Sequence, residues 1–352
     1  MTRTAVAMRV HKPGGPILAE QVPVPRPGVG QVRVDVTASG VCRADVATAR
    51  RNGSAVSPAT PGHEIAGTVA EVGDGVPGWR VGDRVAVGWF GGSCGHCRLC
   101  RSGDVVHCAD RQIPGLSYPG GWARSVTVPA DALARVPDGL DLFDAAPMGC
   151  AGVTTFNAVR HAGLRPGSQV AVFGVGGLGH LAVQFAAAMG HEVVAVARGA
   201  EREGQARALG AHHYVDSDRT RPGEALAALG GADLIVFTAS STEPATELLD
   251  GLAVGGRLTL VGVDAGTLAV PAARLVTTGQ QITGQLTGSP PDIEQAMEFA
   301  LLHGVRPVTE IVPLDQVGAA LERLEAGTVR FRTVLDARSP APVADPTTLR
   351  NP

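Results

Sequence analysis

Apolar and polar positions follow two different periods along the chain. Up to about residue 90 they alternate in short runs. Gln31-Val32-Arg33-Val34-Asp35-Val36-Thr37-Ala38 has the two-residue period of a half-buried strand, and Ile65 to Val72 and Arg84 to Val87 repeat it. Pro23, Pro25, Pro27 and a Gly/Asp-rich stretch from Val72 to Asp83 punctuate these runs. They predict a mostly antiparallel β domain, folded as a partly closed barrel. From 152 to 284 the pattern changes to alternating strands and helices. Strands are expected at 169–173, 192–197, 213–215, 234–237, 257–261 and 281–284, with helices from Leu178 and over 201–209. That alternation predicts an α/β unit with a doubly wound parallel sheet. Two amphipathic helices, 291–303 and 314–324, and a strand over 329–335 follow. The tail from Arg338, with Pro340, Pro342, Pro346 and Pro352, reads as poorly ordered.

The first strand of the α/β unit runs into Gly174-Val175-Gly176-Gly177-Leu178-Gly179, and a helix follows directly. Strand, glycine turn and helix in that order suit a dinucleotide. The glycines let the backbone approach a pyrophosphate, and the helix N-terminus offers free N–H groups to it. A glycine-rich turn in an ordinary α/β unit is the plainer alternative. The second strand at 192–197 favours the dinucleotide site.

Cysteines carry the other chemistry. Cys94, Cys97, Cys100 and Cys108 have the spacing C-x2-C-x2-C-x7-C. Four thiolates so close in sequence can meet on one Zn²⁺ and leave no open position, which makes a structural site. An iron–sulfur cluster and four unbonded thiols are the alternatives, and His96 and His107 are left as loop residues. Cys42 and Cys150 remain, with Pro61-Gly62-His63-Glu64 between them. Two Cys and one His can bind a zinc with a free fourth position, although lone buried cysteines are common core residues.

Composition narrows the classes. The chain has 352 residues and a formal net charge of −3, with no block of one sign, so nothing suggests a nucleic-acid partner. No run reaches the roughly 18 apolar residues of a membrane helix, and the N-terminal residues lack a signal-peptide core. A cytoplasmic protein with reduced cysteines is expected.

Gly62-His63-Glu64, the four-cysteine lobe, Cys150-Ala151-Gly152 and Gly174 to Gly179 occur in the order that marks one family. Over about residues 5 to 336 the chain resembles a zinc-dependent alcohol dehydrogenase of the medium-chain dehydrogenase/reductase superfamily. The resemblance implies two zinc ions per chain: a catalytic one on Cys42, His63 and Cys150, and a structural one on Cys94, Cys97, Cys100 and Cys108. It implies a split catalytic domain, 1–151 with the zinc lobe 91–110 and then 285–352, around a cofactor domain at 152–284. It implies that Thr154 contacts the nicotinamide, Leu178 backs the ring and Arg332 reaches the cofactor phosphates. Asp45 would orient His63, and Glu64 would stand beside the metal; for Asp45 and Arg332 an ordinary surface ion pair is the alternative. Trp89, Phe90 and Tyr118 are the candidate pocket residues. The substrate would be a small alcohol or aldehyde and the assembly a homodimer or homotetramer, with the strand near 281–286 as a subunit contact.

Two positions depart from the family pattern. NAD users generally place Asp or Glu at the end of the second strand, to bond the ribose hydroxyls. Here the residues are Ala197-Arg198-Gly199. Arg198 can pair with a 2′-phosphate, so NADP(H) is the preferred cofactor; stacking on adenine, with NAD(H) as cofactor, is the alternative. Ala44 stands where relatives commonly carry the Ser or Thr of a proton relay, and Val46 and Ala47 supply no substitute. Either another donor acts, with Tyr118 a candidate, or the natural reaction needs no such relay. Reduction of an activated C=C or iminium carbon would fit that case. A nucleotide-binding protein without turnover is the third reading.

Overall fold

The computed structural model describes residues 3–50, 54–262 and 266–343. They divide into two compact units. One comprises Met1–Cys150, Thr287–Leu301 and Pro307–Pro352, the other Ala151–Leu286 and Leu302–Arg306. In chain order the strands are β1 Thr4–Val10, β2 Ile17–Pro23, β3 Gln31–Val41, β4 Glu64–Val72, β5 Arg84–Val87, β6 Ser125–Pro129 and β7 Ala134–Arg135. They continue with β8 Gln169–Phe173, β9 Glu192–Ala197, β10 His213–Asp216, β11 Ala232–Phe237, β12 Leu252–Leu260, β13 Gln281–Gly284, β14 Thr309–Pro313 and β15 Arg332–Asp336.

The first unit is mostly β. Its main sheet runs β14-β15-β3-β4-β5-β7, and β6 pairs with the N-terminal half of β3. All its pairings are antiparallel except β14 with β15. The alternation read along β3 is real. Val32, Val34 and Val36 face inward with Ile65, Val69, Val85, Val87, Val126 and Val128 as one core cluster. β15 begins at Arg332, later than the run 329–335 suggests, because the N–H groups of Phe331 and Arg332 both turn onto the Val308 carbonyl. The helix expected over 314–324 starts as a short 3₁₀ turn, Leu314–Gln316, and continues as Val317–Glu325. It buries Val317, Ala320 and Leu321, an i, i+3, i+4 stripe.

The second unit is a six-stranded, all-parallel sheet in the order β10-β9-β8-β11-β12-β13. Numbered within the unit this is 3-2-1-4-5-6, the dinucleotide-binding order. The strands read as near-continuous apolar runs because both faces are covered. Val170, Ala171 and Val172 of β8 and Leu234, Ile235 and Val236 of β11 are all fully buried. Phe237 stacks on Phe173 with ring centroids 5.1 Å apart.

No helix among the described residues is long and apolar enough to cross a membrane. Of the tail read as poorly ordered, 344–352 lie outside the described residues. Phe237→Ala should destabilise the second unit by about 3–5 kcal/mol, the usual cost of removing a buried aromatic, read as a fall in its denaturation midpoint.

Candidate active site

Two groups of ligand-type side chains form in the first unit. Within each, the candidate atoms lie within 4.8 Å of one another. In the lobe, the Sγ–Sγ distances are 3.5 Å for Cys97–Cys100, 3.6 Å for Cys94–Cys108, and 3.9 Å for both Cys94–Cys100 and Cys97–Cys108. A tetrahedron with zinc–sulfur bonds of about 2.3 Å has edges of about 3.8 Å. The four sulfurs thus already have the spacing of a zinc shell. His96 and His107 take other partners, the Cys94 carbonyl and Asp104, as their reading as loop residues requires.

The second group is Cys42, His63, Glu64 and Cys150. Cys42 follows β3 directly, and His63 and Glu64 stand at the start of β4, the strand paired to β3. Gly62 takes φ +99°, and a Cβ there would lie 2.4 Å from Trp122 Cδ1, so only glycine fits before His63. Cys150 sits in a π-helical turn, Met148–Gly152. That turn packs on the end of β5 so closely that a Cβ on Gly88 would meet the Gly149 carbonyl oxygen at 1.9 Å.

Asp45 ties the first two ligands together. Its Oδ2 accepts the Cys42 N–H at 2.9 Å, and its Oδ1 is 2.9 Å from His63 Nδ1. Both side chains are buried, so this is no surface ion pair. His63 Nε2 is buried and has no partner. A carboxylate on one imidazole nitrogen and an unmet lone pair on the other is the pattern of a metal-ligating histidine. Two sulfurs and one such imidazole are a zinc donor set.

Glu64 is fully buried and pairs with Arg332, whose Nη2 donates to both carboxylate oxygens. Gly40 faces Glu64 across the β3–β4 ladder, and a Cβ on it would strike Glu64 Oε2 at 1.9 Å. Where the resemblance implies a guanidinium at the cofactor phosphates, the structure places Arg332 against Glu64, with its Nε buried and unpartnered. The cause is charge, since a buried carboxylate is costly without a counter-ion. This pair too is buried, not on the surface.

Protonation in the group is mixed. The Cys150 hydrogen bond holds the Cys42 thiol well below its ordinary value against burial, and His63 and Arg332 add to it. Cys150, bonded to Cys42 and buried, is pushed up. At His63 burial opposes charge, but Asp45 and Cys42 outweigh it and raise the pKa. Burial lifts Glu64 to about 7, with Arg332 pulling it back. Two thiols, an imidazole and a carboxylate crowded in this way are best met by a divalent cation.

The three candidate pocket residues separate. Trp89 is beside the group, its ring edge-on to His63 at 4.9 Å, with Nε1 buried and unpartnered. Phe90 is a correction: at 2 % exposure it is core. Tyr118 is another: its ring packs on the β-domain core and its hydroxyl donates to the Gly91 carbonyl at 2.8 Å. Burial raises its pKa. Ala44 is in the first turn of the helix Arg43–Arg50 and carries no hydroxyl.

In the second unit the glycine turn links β8 to the helix Gly179–Ala188. A Cβ on Gly179 would lie 1.8 Å from the Gly174 carbonyl oxygen, and one on Gly174 2.9 Å from Thr238 Oγ1. These two glycines serve close packing. Gly176 is different: it is exposed, and a Cβ there would meet nothing within 4 Å. The space outside Gly176 is the cradle a pyrophosphate would fill. Gly177 and Leu178 are half-buried beside it. Thr154 is buried and its hydroxyl donates to the Leu286 carbonyl at 3.3 Å. Arg198 is exposed directly beyond β9 and forms no ion pair among the described residues.

Residues 28–138 match the alcohol dehydrogenase GroES-like domain, and 177–301 match the zinc-binding dehydrogenase family. The chain belongs to the zinc-type alcohol dehydrogenases of the medium-chain dehydrogenase/reductase superfamily. Alcohol dehydrogenase patD of Penicillium expansum is 41% identical over 322 residues, covering 92% of this chain and 94% of that one. NADP-dependent alcohol dehydrogenase C 1 of Mycolicibacterium smegmatis is 36% identical over 322 residues, 89% of this chain and 92% of its own. Among solved structures, a cinnamyl alcohol dehydrogenase from Sorghum bicolor superimposes with TM-score 0.88 at 33% identity, over 97% of this chain and 100% of that one. This alcohol dehydrogenase is thus an NAD(P)-dependent enzyme, with zinc and a nicotinamide cofactor as its family's equipment.

The buried Glu64–Arg332 pair gives a direct test of the site's packing. Arg332→Leu strands a buried carboxylate and should cost about 3–5 kcal/mol of stability, measured by denaturation of the purified enzyme.

Proposed function

We propose that this alcohol dehydrogenase transfers a hydride between NADP(H) and an alcohol or aldehyde, using a catalytic zinc on Cys42, His63 and Cys150. A structural zinc on Cys94, Cys97, Cys100 and Cys108 belongs to the same reading. The observation that carries it is the convergence of buried Cys42, His63 and Glu64 with half-buried Cys150, His63 Nε2 being left without a hydrogen-bond partner among the described residues. All six cysteines are free, as metal ligands in the cytoplasm must be.

When bound, zinc supplies a Lewis acid that polarises the substrate oxygen. The chain's own residues do the rest. Asp45 takes the Nδ1–H of His63 and so fixes the tautomer that leaves Nε2 to the metal. Arg332 compensates the charge of Glu64. The glycine turn and the start of the helix Gly179–Ala188 receive the pyrophosphate. Thr154 contacts the nicotinamide and Leu178 backs the ring. Trp89 walls the substrate position next to His63. Ala44, in the relay position, offers no hydroxyl to the proton. The open edge of the parallel sheet, β13, is the expected contact of a homodimer or homotetramer.

The cofactor preference follows from the end of β9. Positions 197 and 198 carry no carboxylate; those of Asp216 and Glu201 lie beside Gly199, Asp216 being engaged by the Gly199 N–H, and Arg198 is exposed with no ion pair among the described residues. Arg198→Glu should raise the KM for NADPH by roughly 10–100-fold, the worth of one or two charge-assisted hydrogen bonds, and leave that for NADH near its starting value. Equal change with both cofactors would remove the NADP(H) assignment.

Ala44 favours one other reading, reduction of an activated C=C or iminium carbon, where no relay to an alcohol oxygen is needed. Ala44→Ser separates the two: a sharp gain in alcohol oxidation without a gain in the native reaction supports the alkene or iminium substrate, and an unchanged alcohol rate removes that reading. Metal content tests the ligand sets themselves. The enzyme should hold about two zinc ions per chain, and Cys42→Ala and Cys97→Ala should each lose about one. Elemental analysis of the purified variants reads this directly.

A further inference from the structure

Strands β9 and β10 end side by side, with Ala197 opposite Asp216. Beyond this pair the chain leaves as two neighbouring loops, one carrying Arg198 and the other Arg219. Asp216 holds both. Its Oδ1 accepts the Gly199 N–H at 2.8 Å and the Asp218 N–H at 3.1 Å. Its Oδ2 is 3.5 Å from Arg219 Nε. The Tyr214 hydroxyl donates to the Gly199 carbonyl at 2.6 Å, so the peptide units on both sides of Gly199 are tied to β10. Ser217 N–H donates to the Ala197 carbonyl at 3.0 Å and closes the corner. Gly199 takes φ +82°, a backbone conformation that favours glycine after Arg198.

This arrangement settles what Asp216 does with its charge. An NAD-type carboxylate accepts from ribose hydroxyls, but Asp216 spends its oxygens on two backbone N–H groups and a guanidinium. It also brings Arg219 to the corner where Arg198 emerges. Arg219 has a 77 % exposed side chain and only this one long contact, so its remaining N–H donors point to solvent. Two exposed guanidiniums on adjoining anchored loops match a dianionic phosphate, which offers more acceptor oxygens than one arginine can fill.

We propose that Arg219 is a second ligand of the ribose 2′-phosphate, and that Asp216 is the positioning residue that sets Arg198 and Arg219 about one corner. This rests on the NADP(H) reading above. It goes further, because it places half of the specificity on a strand and loop that the end of β9 does not contain.

The test uses the zinc-loaded enzyme and two probes, adenosine 2′,5′-bisphosphate and 5′-AMP, titrated calorimetrically. Arg219→Gln should weaken the bisphosphate about tenfold and leave 5′-AMP unchanged. Arg221→Gln is the control. Arg221 lies in the same loop and is exposed, but it is turned onto Glu224 and Glu247, and its loss should change neither probe. Asp216→Ala should weaken the bisphosphate several-fold more than 5′-AMP. Asp216→Asn keeps an oxygen for the Gly199 N–H and should recover part of that loss. A merely structural Asp216 would weaken both probes alike, which overturns its assignment. Arg219→Gln behaving like Arg221→Gln overturns the second ligand. The two readings fail separately. If Arg198→Gln abolishes the preference for the bisphosphate while Arg219→Gln and Asp216→Ala do not touch it, only the present inference is wrong. If the unaltered enzyme binds both probes equally, the NADP(H) reading falls and this one with it.

Discussion

Asp45 accepts two hydrogen bonds that come from different parts of the chain. One is the backbone N–H of Cys42, where β3 ends, and the other is the imidazole of His63, where β4 begins. A buried carboxylate with two such donors is fixed, and it fixes both donors in turn. The cysteine sulfur and the imidazole Nε2 then face one another. Cys150 completes the group because Gly88 and Gly149 allow its turn to touch the end of β5. The preorganisation comes from backbone pairing and glycine contacts, and the polar side chains are its result.

Glu64 belongs to the same construction. It is adjacent to His63 in sequence and its carboxylate joins the group of ligand atoms within 4.8 Å of one another, where Gly40 makes room and Arg332 neutralises it. A charge here alters the field at Cys42 and Cys150, both of which feel Arg332 as well. The cluster and the ion pair are therefore one electrostatic unit. In the nucleotide unit the same economy appears in a different form. Gly174 and Gly179 are glycine for packing, and Gly176 is glycine with open space before it.

Much of this was legible in the sequence, and physical reasons separate what was from what was not. β8 and β9 occupy the residues that their apolar runs mark, because parallel strands covered on both faces leave an unbroken signature. The four-cysteine lobe was readable from local spacing alone, since its ligands lie within fifteen residues. The Glu64–Arg332 pair was not, as its members are 268 positions apart and meet only through β3. Phe90 and Tyr118 were misplaced for a related reason. Position next to a motif does not say which face of the backbone a side chain leaves from: Phe90 is buried, and Tyr118 packs on the β core. The double role of Asp45 and the anchoring of Gly199 by Tyr214 and Asp216 likewise depend on side-chain direction, and carry no spacing signal.

The two ligand groups would make chemically different zinc shells in one chain. Zinc-edge X-ray absorption on the purified enzyme tests this most directly, because it counts sulfur neighbours. One four-sulfur shell and one shell of two sulfurs with nitrogen and oxygen average to about three sulfurs per zinc. That average, falling to about two when the lobe's cysteines are removed, is the predicted result. Four sulfurs per zinc at full metal loading would mean that only the lobe binds metal, and would contradict the account.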